Sequence, residues 1–245
     1  MIKIKFENLL VSIVVSVVVF FNTISTTMLD RTFFQVKVNF LFLIVLLLGL
    51  RFLYKMRVSY KYLILSILLL LSGVLVYFQT NRLNFLVYSM LLVLLVNVDM
   101  KVVLRNYVVV AGILVVGVFL LSLVGMVPNL QYNRAGVIRN SFGFIYPTDF
   151  ASHCFYLFLA ISYLLKDKLI WTRTLFGFVL SAFIIKYCDA RLNALSILLA
   201  TVIFTYFYYS KGKKLKIFAL LPYSVVVFAS VVTYLSYKFS WSNPF

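Results

Sequence analysis

Between Arg173 and Lys211 the chain reads TLFGFVLSAFIIKYCDARLNALSILLATVIFTYFYYS, 37 residues (174–210) whose charged or amide side chains are Lys186, Asp189, Arg191 and Asn193. At 1.5 Å per residue, a single helix of that length would reach about 55 Å. The hydrocarbon core of a bilayer is about 30 Å thick and takes about 20 helical residues. One crossing cannot absorb the run. Two crossings joined by a tight turn can, with the turn at Cys188 to Arg191 and its charges at the membrane edge.

Working outward, comparable apolar runs lie at 9–27, 36–54, 62–78, 85–98, 107–127, 148–165, 171–187, 192–210 and 217–237. The expected fold is therefore all-α: a polytopic integral membrane protein of about nine spans, forming a single transmembrane helical domain over 1–245. Composition agrees, since 64% of the 245 residues are hydrophobic and 12% charged, with a mean hydropathy of +1.07. A soluble domain is about 45–50% apolar and about 25% charged. A soluble chain, a disordered one and an extracellular disulfide scaffold are excluded, and the lack of a long polar block argues against a cytosolic enzyme with one anchor. Lys3 and Lys5 ahead of the first run imitate a signal peptide, but no Ala-x-Ala-like site follows, so that run is read as an uncleaved span. Cys154 and Cys188 have no metal-ligand spacing and a single His to join them, which makes them buried free thiols.

The formal charge of +17 comes from 23 Lys and Arg against 6 acids. In a soluble chain it would point to nucleic acid. Here the basic residues fill short gaps between apolar runs, so they report topology and no nucleic-acid partner is expected. With the N-terminus in the cytoplasm, fifteen of them fall inside, while Arg31, Lys37, Arg82, Arg134, Arg139, Lys186, Arg191 and Lys238 fall outside. That excess favours an inner N-terminus. The loop at about 128–147, the turn with Asp189 and Arg191, and the C-terminal tail are then external.

The outer basic residues run against the charge rule and need another reason. Arg134 and Arg139 sit in QYNRAGVIRNSFGFIYP, where Gly136 and Gly143 make the backbone permissive and Pro128 and Pro147 mark its ends. They either reach lipid phosphates from a solvated loop or form an outward anion site. The sixth run opens with Thr148, Asp149, Ser152 and His153, and Tyr156, Ala160 and Tyr163 continue the stripe at helical spacing. Polar residues in a span usually face a bundle interior or a watery cavity. Asp149 also suits a cap in the first turn, with Thr148, and His153 suits either a satisfied core position or a catalytic one. Arg191 either pairs with Asp189 or points into the cavity of Arg139 and His153. Its guanidinium fork grips phosphate bidentately, as a lysine cannot. Several arginines next to an apolar wall suit a lipid-linked pyrophosphate whose tail stays in the bilayer. No P-loop, dinucleotide fingerprint, paired-His zinc motif or GxSxG elbow occurs, so neither cofactor nor metal is expected. Six acids leave little for a proton or cation pathway.

RNSFGFIYPTDFASH (Arg139 to His153) and CDARLNAL (Cys188 to Leu195) resemble the two motif regions of the Wzy-type polysaccharide polymerases, within the O-antigen polymerase and ligase superfamily. The likeness is to exopolysaccharide and capsule polymerases of Gram-positive bacteria. In that family an outer loop carries an Arg, a Gly-Phe and a Pro-Asn-like segment opening a span. Arg139, Gly143, Phe144 and Pro147 fill that pattern, with Thr148 where Asn is common. Asp189-Ala190-Arg191 stands where a later span begins with Ser-Arg-Thr or a relative.

The resemblance implies a multi-pass protein of a bacterial cell membrane that polymerises polyprenyl-pyrophosphate-linked oligosaccharide repeats on the outer face. Its partners would be that lipid, the bilayer and other polysaccharide assembly proteins. Arg139 and Arg191, with Arg134 as a third, would stabilise the pyrophosphate leaving group, and His153 or Asp149 would act as base. Family members usually run to more spans, with a large outer loop after the point where this sequence ends in SWSNPF (Ser240 to Phe245). The expectation is the front part of a polymerase, active or inactive. A transporter or flippase of the same lipid, or a non-catalytic assembly subunit, explains the spans and the outer arginines almost as well. A transporter would need Gly- or Pro-broken helices in two matching halves, and only Pro222 lies within a span.

Overall fold

The computed structural model describes residues 2–29, 60–81, 84–95, 98–134, 136–165, 168–210 and, further on, 227, 230, 231 and 234. The expected runs at 36–54 and 217–237 lie outside these residues or almost so. The chain divides into two compact units, Met1–Thr201 and Val202–Phe245. Of the second, the described part is chiefly the end of a helix, where Tyr206 and Phe207 meet edge to face at 5.8 Å.

The described residues are mostly helical. In chain order the helices are α1 (Ile2–Ile24), α2 (Tyr60–Thr80), α3 (Asn84–Leu94), α4 (Met100–Leu123), α5 (Pro147–Leu164), α6 (Ile170–Cys188) and α7 (Arg191–Tyr209). Among the described residues, four stretches are long and apolar enough to cross a membrane: Tyr62–Thr80 in α2, and α4, α6 and α7. The protein is thus a helical membrane protein. The expected fourth span is cut back, because α3 has 11 residues. That is about 16 Å, half a bilayer core. Within α1, Val11–Ile24 is an apolar stretch shorter than those four. α5 is 18 residues long, but its polar first turns keep it out of that set.

α4 is the centre of the first unit, in contact with α1 on one side and α5 on the other, while α2 packs on α3. Its buried residues Ala111, Val115, Val118 and Ser122 recur at the helical period. α1 answers with Val11, Val14, Val15 and Val18. The start of α4 is set by Asp99, whose carboxylate accepts the Lys101 N–H at 2.9 Å. α5 starts at Pro147, whose missing N–H costs nothing at a first helical position. It buries Phe150, Ala151, Cys154, Leu157 and Phe158. α6 and α7 touch through Gly177, where a Cβ would lie 2.1 Å from Thr201 Oγ1, and through Ser181, which donates to Ala194 O at 3.0 Å.

The connection read as an outer loop contains a two-stranded antiparallel hairpin, a small addition to a mostly helical fold. β1 (Gln131–Arg134) pairs with β2 (Val137–Asn140), with Tyr132 opposite Arg139 and Arg134 opposite Val137. The turn closes because Gly136 takes φ +82 and its N–H donates to Asn133 Oδ1 at 3.0 Å. After β2 the chain is pinned down. Asn129 Oδ1 accepts the N–H groups of Ser141 and Phe142 at 3.1 and 2.8 Å. Phe142 and Gly143 then take φ of +48 and +83 in succession. At Gly143 no side chain fits, since a Cβ would lie 2.8 Å from Val118 Cγ1 and 3.1 Å from the Val118 carbonyl oxygen. The same segment pairs with the end of α1: Met28 N–H donates to Gly143 O and Ile145 N–H to Thr26 O, both at 2.9 Å.

Candidate functional site

The site is built where the hairpin meets the turn between α6 and α7. α6 ends at Cys188 because Asp189 turns left-handed, at φ +44, while its N–H still donates to Ile185 O at 3.3 Å. Aspartate tolerates that conformation better than most side chains. Two residues later α7 begins at Arg191, which places the tight turn where the apolar arithmetic put it. The last carbonyls of α6 need donors, and β2 supplies them. Arg139 Nε donates to Cys188 O at 2.9 Å, and Asn140 Nδ2 to Tyr187 O at 3.4 Å. A cation at a helix C-terminus is favourable in itself.

Arg191 Nε donates to Asp189 Oδ1 at 2.8 Å, and the Arg191 side chain is 76% exposed against 9% for Asp189. The hydrogen bond from Arg191 holds the Asp189 carboxyl below the usual carboxylate range, and the charges of Arg139 and Arg134 act in the same direction. Arg139 and Arg191 thus share one arrangement. Each spends Nε on the chain, and the Nη1 and Nη2 ends of both forks have no hydrogen-bond partner among the described residues. Arg134, at the end of β1, is exposed, and its guanidinium makes no hydrogen bond among the described residues.

These groups line one open cavity of about 440 Å³, formed by Arg134, Arg139, Thr148, Asp189, Ala190, Arg191, Leu192 and Asn193. The start of α7 adds to its charge. Ala194 N–H finds an acceptor in Ala190 O at 3.0 Å, whereas the N–H groups of Arg191, Leu192 and Asn193 have none among the described residues. Such N–H groups carry the positive end of the helix dipole and bind anions readily. Three guanidinium groups and a helix N-terminus against one tethered carboxylate make a site for an anion with several oxygens.

All three expected binding arginines come together here; the two expected catalytic residues do not line the cavity. Asp149 Oδ2 accepts the Tyr146 N–H at 3.2 Å, a capping contact made to Tyr146 rather than with Thr148. His153 Nε2 lies 2.9 Å from Thr26 Oγ1, with the Phe144 ring 5.4 Å away between centroids. Thr26 Oγ1 also donates to Thr23 O at 2.7 Å, which assigns the proton of the His153 contact to Nε2. The stripe on α5 divides: Ser152 and His153 are half-buried, Tyr156 and Tyr163 are exposed, and Ala160 is buried.

The amide of Asn193 links the cavity to that stripe, its Nδ2 donating to Thr148 O and to Ser152 Oγ, each at 3.3 Å. The α7 N–H groups escaped the sequence reading, because only the position of the helix start reveals them. Thr26 escaped it as well, standing 127 residues from His153. Among the described residues no group of three or more His, Cys, Asp or Glu is placed to hold a metal ion. In comparisons with protein-family models, with characterised proteins and with solved structures, the chain matches none.

Proposed function

We propose that this membrane protein polymerises polyprenyl-pyrophosphate-linked oligosaccharide repeat units on the outer face of a bacterial cell membrane, in exopolysaccharide or capsule biosynthesis. In this reading the chain crosses the bilayer about nine times with its N-terminus in the cytoplasm, which puts the hairpin and the turn at Asp189 outside. The observation that carries the proposal is the cavity in which the open forks of Arg139 and Arg191, Arg134 and the first N–H groups of α7 converge. A pyrophosphate has the oxygens to use them, and a polyprenyl tail suits an apolar helical neighbourhood.

In the reaction, a sugar hydroxyl of one unit attacks the anomeric carbon of the other. The new C–O bond forms as the bond from that carbon to the pyrophosphate oxygen breaks, and the electron pair leaves with the pyrophosphate. Arg139, Arg191 and Arg134 stabilise the charge that develops there. Loss of one such donor costs on the order of 10²–10³ in rate. The hydroxyl proton passes to His153 or Asp149, both in α5, the helix whose first turn brings Thr148 to the cavity.

The test is the fate of lipid-linked repeats in cells that lack the gene, with their leaflet determined. Single repeats accumulating on the outer leaflet without polymer are the expected result. Repeats trapped on the inner leaflet would make the protein a transporter, and no change at all would overturn an active role.

A further inference from the structure

The cavity holds two neutral groups that a bare pyrophosphate does not need. Asn193 lines it from the first turn of α7 and Thr148 from the first turn of α5. The orientation of the Asn193 amide is set by hydrogen-bond chemistry. Ser152 Oγ donates its own proton to Thr148 O at 2.8 Å, so toward Asn193 it can only accept. Thr148 O is an acceptor by nature. Both partners on α5 therefore require the NH₂ end of the amide, which the 3.3 Å contacts give them. The carbonyl end, Oδ1, is left with no hydrogen-bond partner among the described residues, and so is the Thr148 hydroxyl.

The one carboxylate of the cavity cannot do the same work. Asp189 Oδ1 is held by Arg191, and Oδ2 is buried. Asn193 Oδ1 and the Thr148 hydroxyl are thus the side-chain acceptors the cavity has to offer, beside donors that suit an anion. An anion alone would use the donors and leave the acceptors idle. A ligand with a hydroxyl near its phosphate would use both.

We propose that Asn193 Oδ1 and Thr148 Oγ1 form a sugar-hydroxyl subsite beside the arginines, so that the cavity takes a glycosyl phosphate in preference to a bare one. The proposal rests on the pyrophosphate reading above and adds the part of the ligand that the arginines cannot recognise. Asn193 is a positioning residue in it: it holds the sugar next to the phosphate and takes no part in bond breaking. The same chemistry, a phosphate with nearby hydroxyls, also occurs in the headgroup of phosphatidylglycerol, and the test separates the two.

The full chain in phosphatidylcholine nanodiscs is titrated with farnesyl pyrophosphate and with its hexosyl ester. The wild type binds the hexosyl probe roughly 3- to 10-fold more tightly, the worth of one or two neutral hydrogen bonds. Asn193→Ala removes that preference and leaves the bare probe unchanged, which also shows the cavity intact; Thr148→Val reduces the preference. Equal binding of both probes by the wild type, or equal weakening of both by Asn193→Ala, would overturn the subsite and leave the pyrophosphate reading standing. Failure of both probes to bind would overturn both readings. Displacement of the probes by added phosphatidylglycerol would assign the site to a lipid headgroup and overturn the glycosyl phosphate.

Discussion

A guanidinium tethered through Nε differs from one at the end of a loose side chain, because its outer two nitrogens are aimed before any ligand arrives. Arg191 and Arg139 are both held that way, one by a carboxylate and the other by a helix-terminal carbonyl. A lysine at 191 has a single ammonium, which either pairs with Asp189 or meets the ligand. Arg191→Lys is therefore expected to lower polymer formation on the order of 10²–10³-fold, read as chain length and yield in cells with matched protein levels. Wild-type polymer would remove Arg191 from the site. Asp189→Asn keeps an acceptor oxygen for Arg191 and should cost much less. The pH dependence has a definite sign. A carboxylate with a lowered pKa in the folded protein contributes above its ordinary value of about 3.9 and loses that contribution as the pH falls through its lowered one. The affinity ratio between wild type and Asp189→Asn for farnesyl pyrophosphate should thus stay flat from about pH 5 to pH 8. A ratio that changes in that window would show that Asp189 titrates there.

At the scale of elements, the hairpin carries Arg134 and Arg139, so whatever seats the hairpin sets the site. Gly143 does that by lying against the backbone of α4 with φ +83. Gly143→Ala adds both a clash and a left-handed penalty, and is expected to lower stability by about 1–3 kcal/mol, measured as a lower Tm in detergent. In α6, Gly177→Ala meets Thr201 Oγ1 and Phe158. It should destabilise by a similar amount, with a smaller loss in the Thr201→Ala background, where the nearest of the clashing atoms is gone. The helices were legible in the sequence because long apolar runs can mean little else; Pro147 and the Cys188-to-Arg191 turn gave away two of their ends. The hairpin was not. Its strands have four residues each, too few for an alternation to stand out from a polar loop. Arg139 and Arg191 were visible as residues, but their convergence depends on a contact from Arg139 to a carbonyl 49 residues away.

For the whole molecule, charge is a statement about sidedness. The proposed topology has the hairpin on the outer face, and the two native cysteines are buried, so a thiol placed on the exposed Val137 would stand alone. Val137→Cys should react with a membrane-impermeant maleimide added to intact cells. Reaction only after permeabilisation would invert the proposed topology. The apolar arithmetic that identified a membrane protein said nothing of which distant segments meet, since every run reads alike to lipid. The tie between the end of α1 and the segment before α5 is such a meeting: Thr26 bonds to the backbone of Ile145 and to His153, 127 residues further on. That tie orders events in time. A ribosome adds about 5–20 residues per second, so the end of α1 waits roughly 6–25 s for its partner to be made. α1 is made early and is finished late, and the cavity, whose last wall starts at Arg191, closes later still.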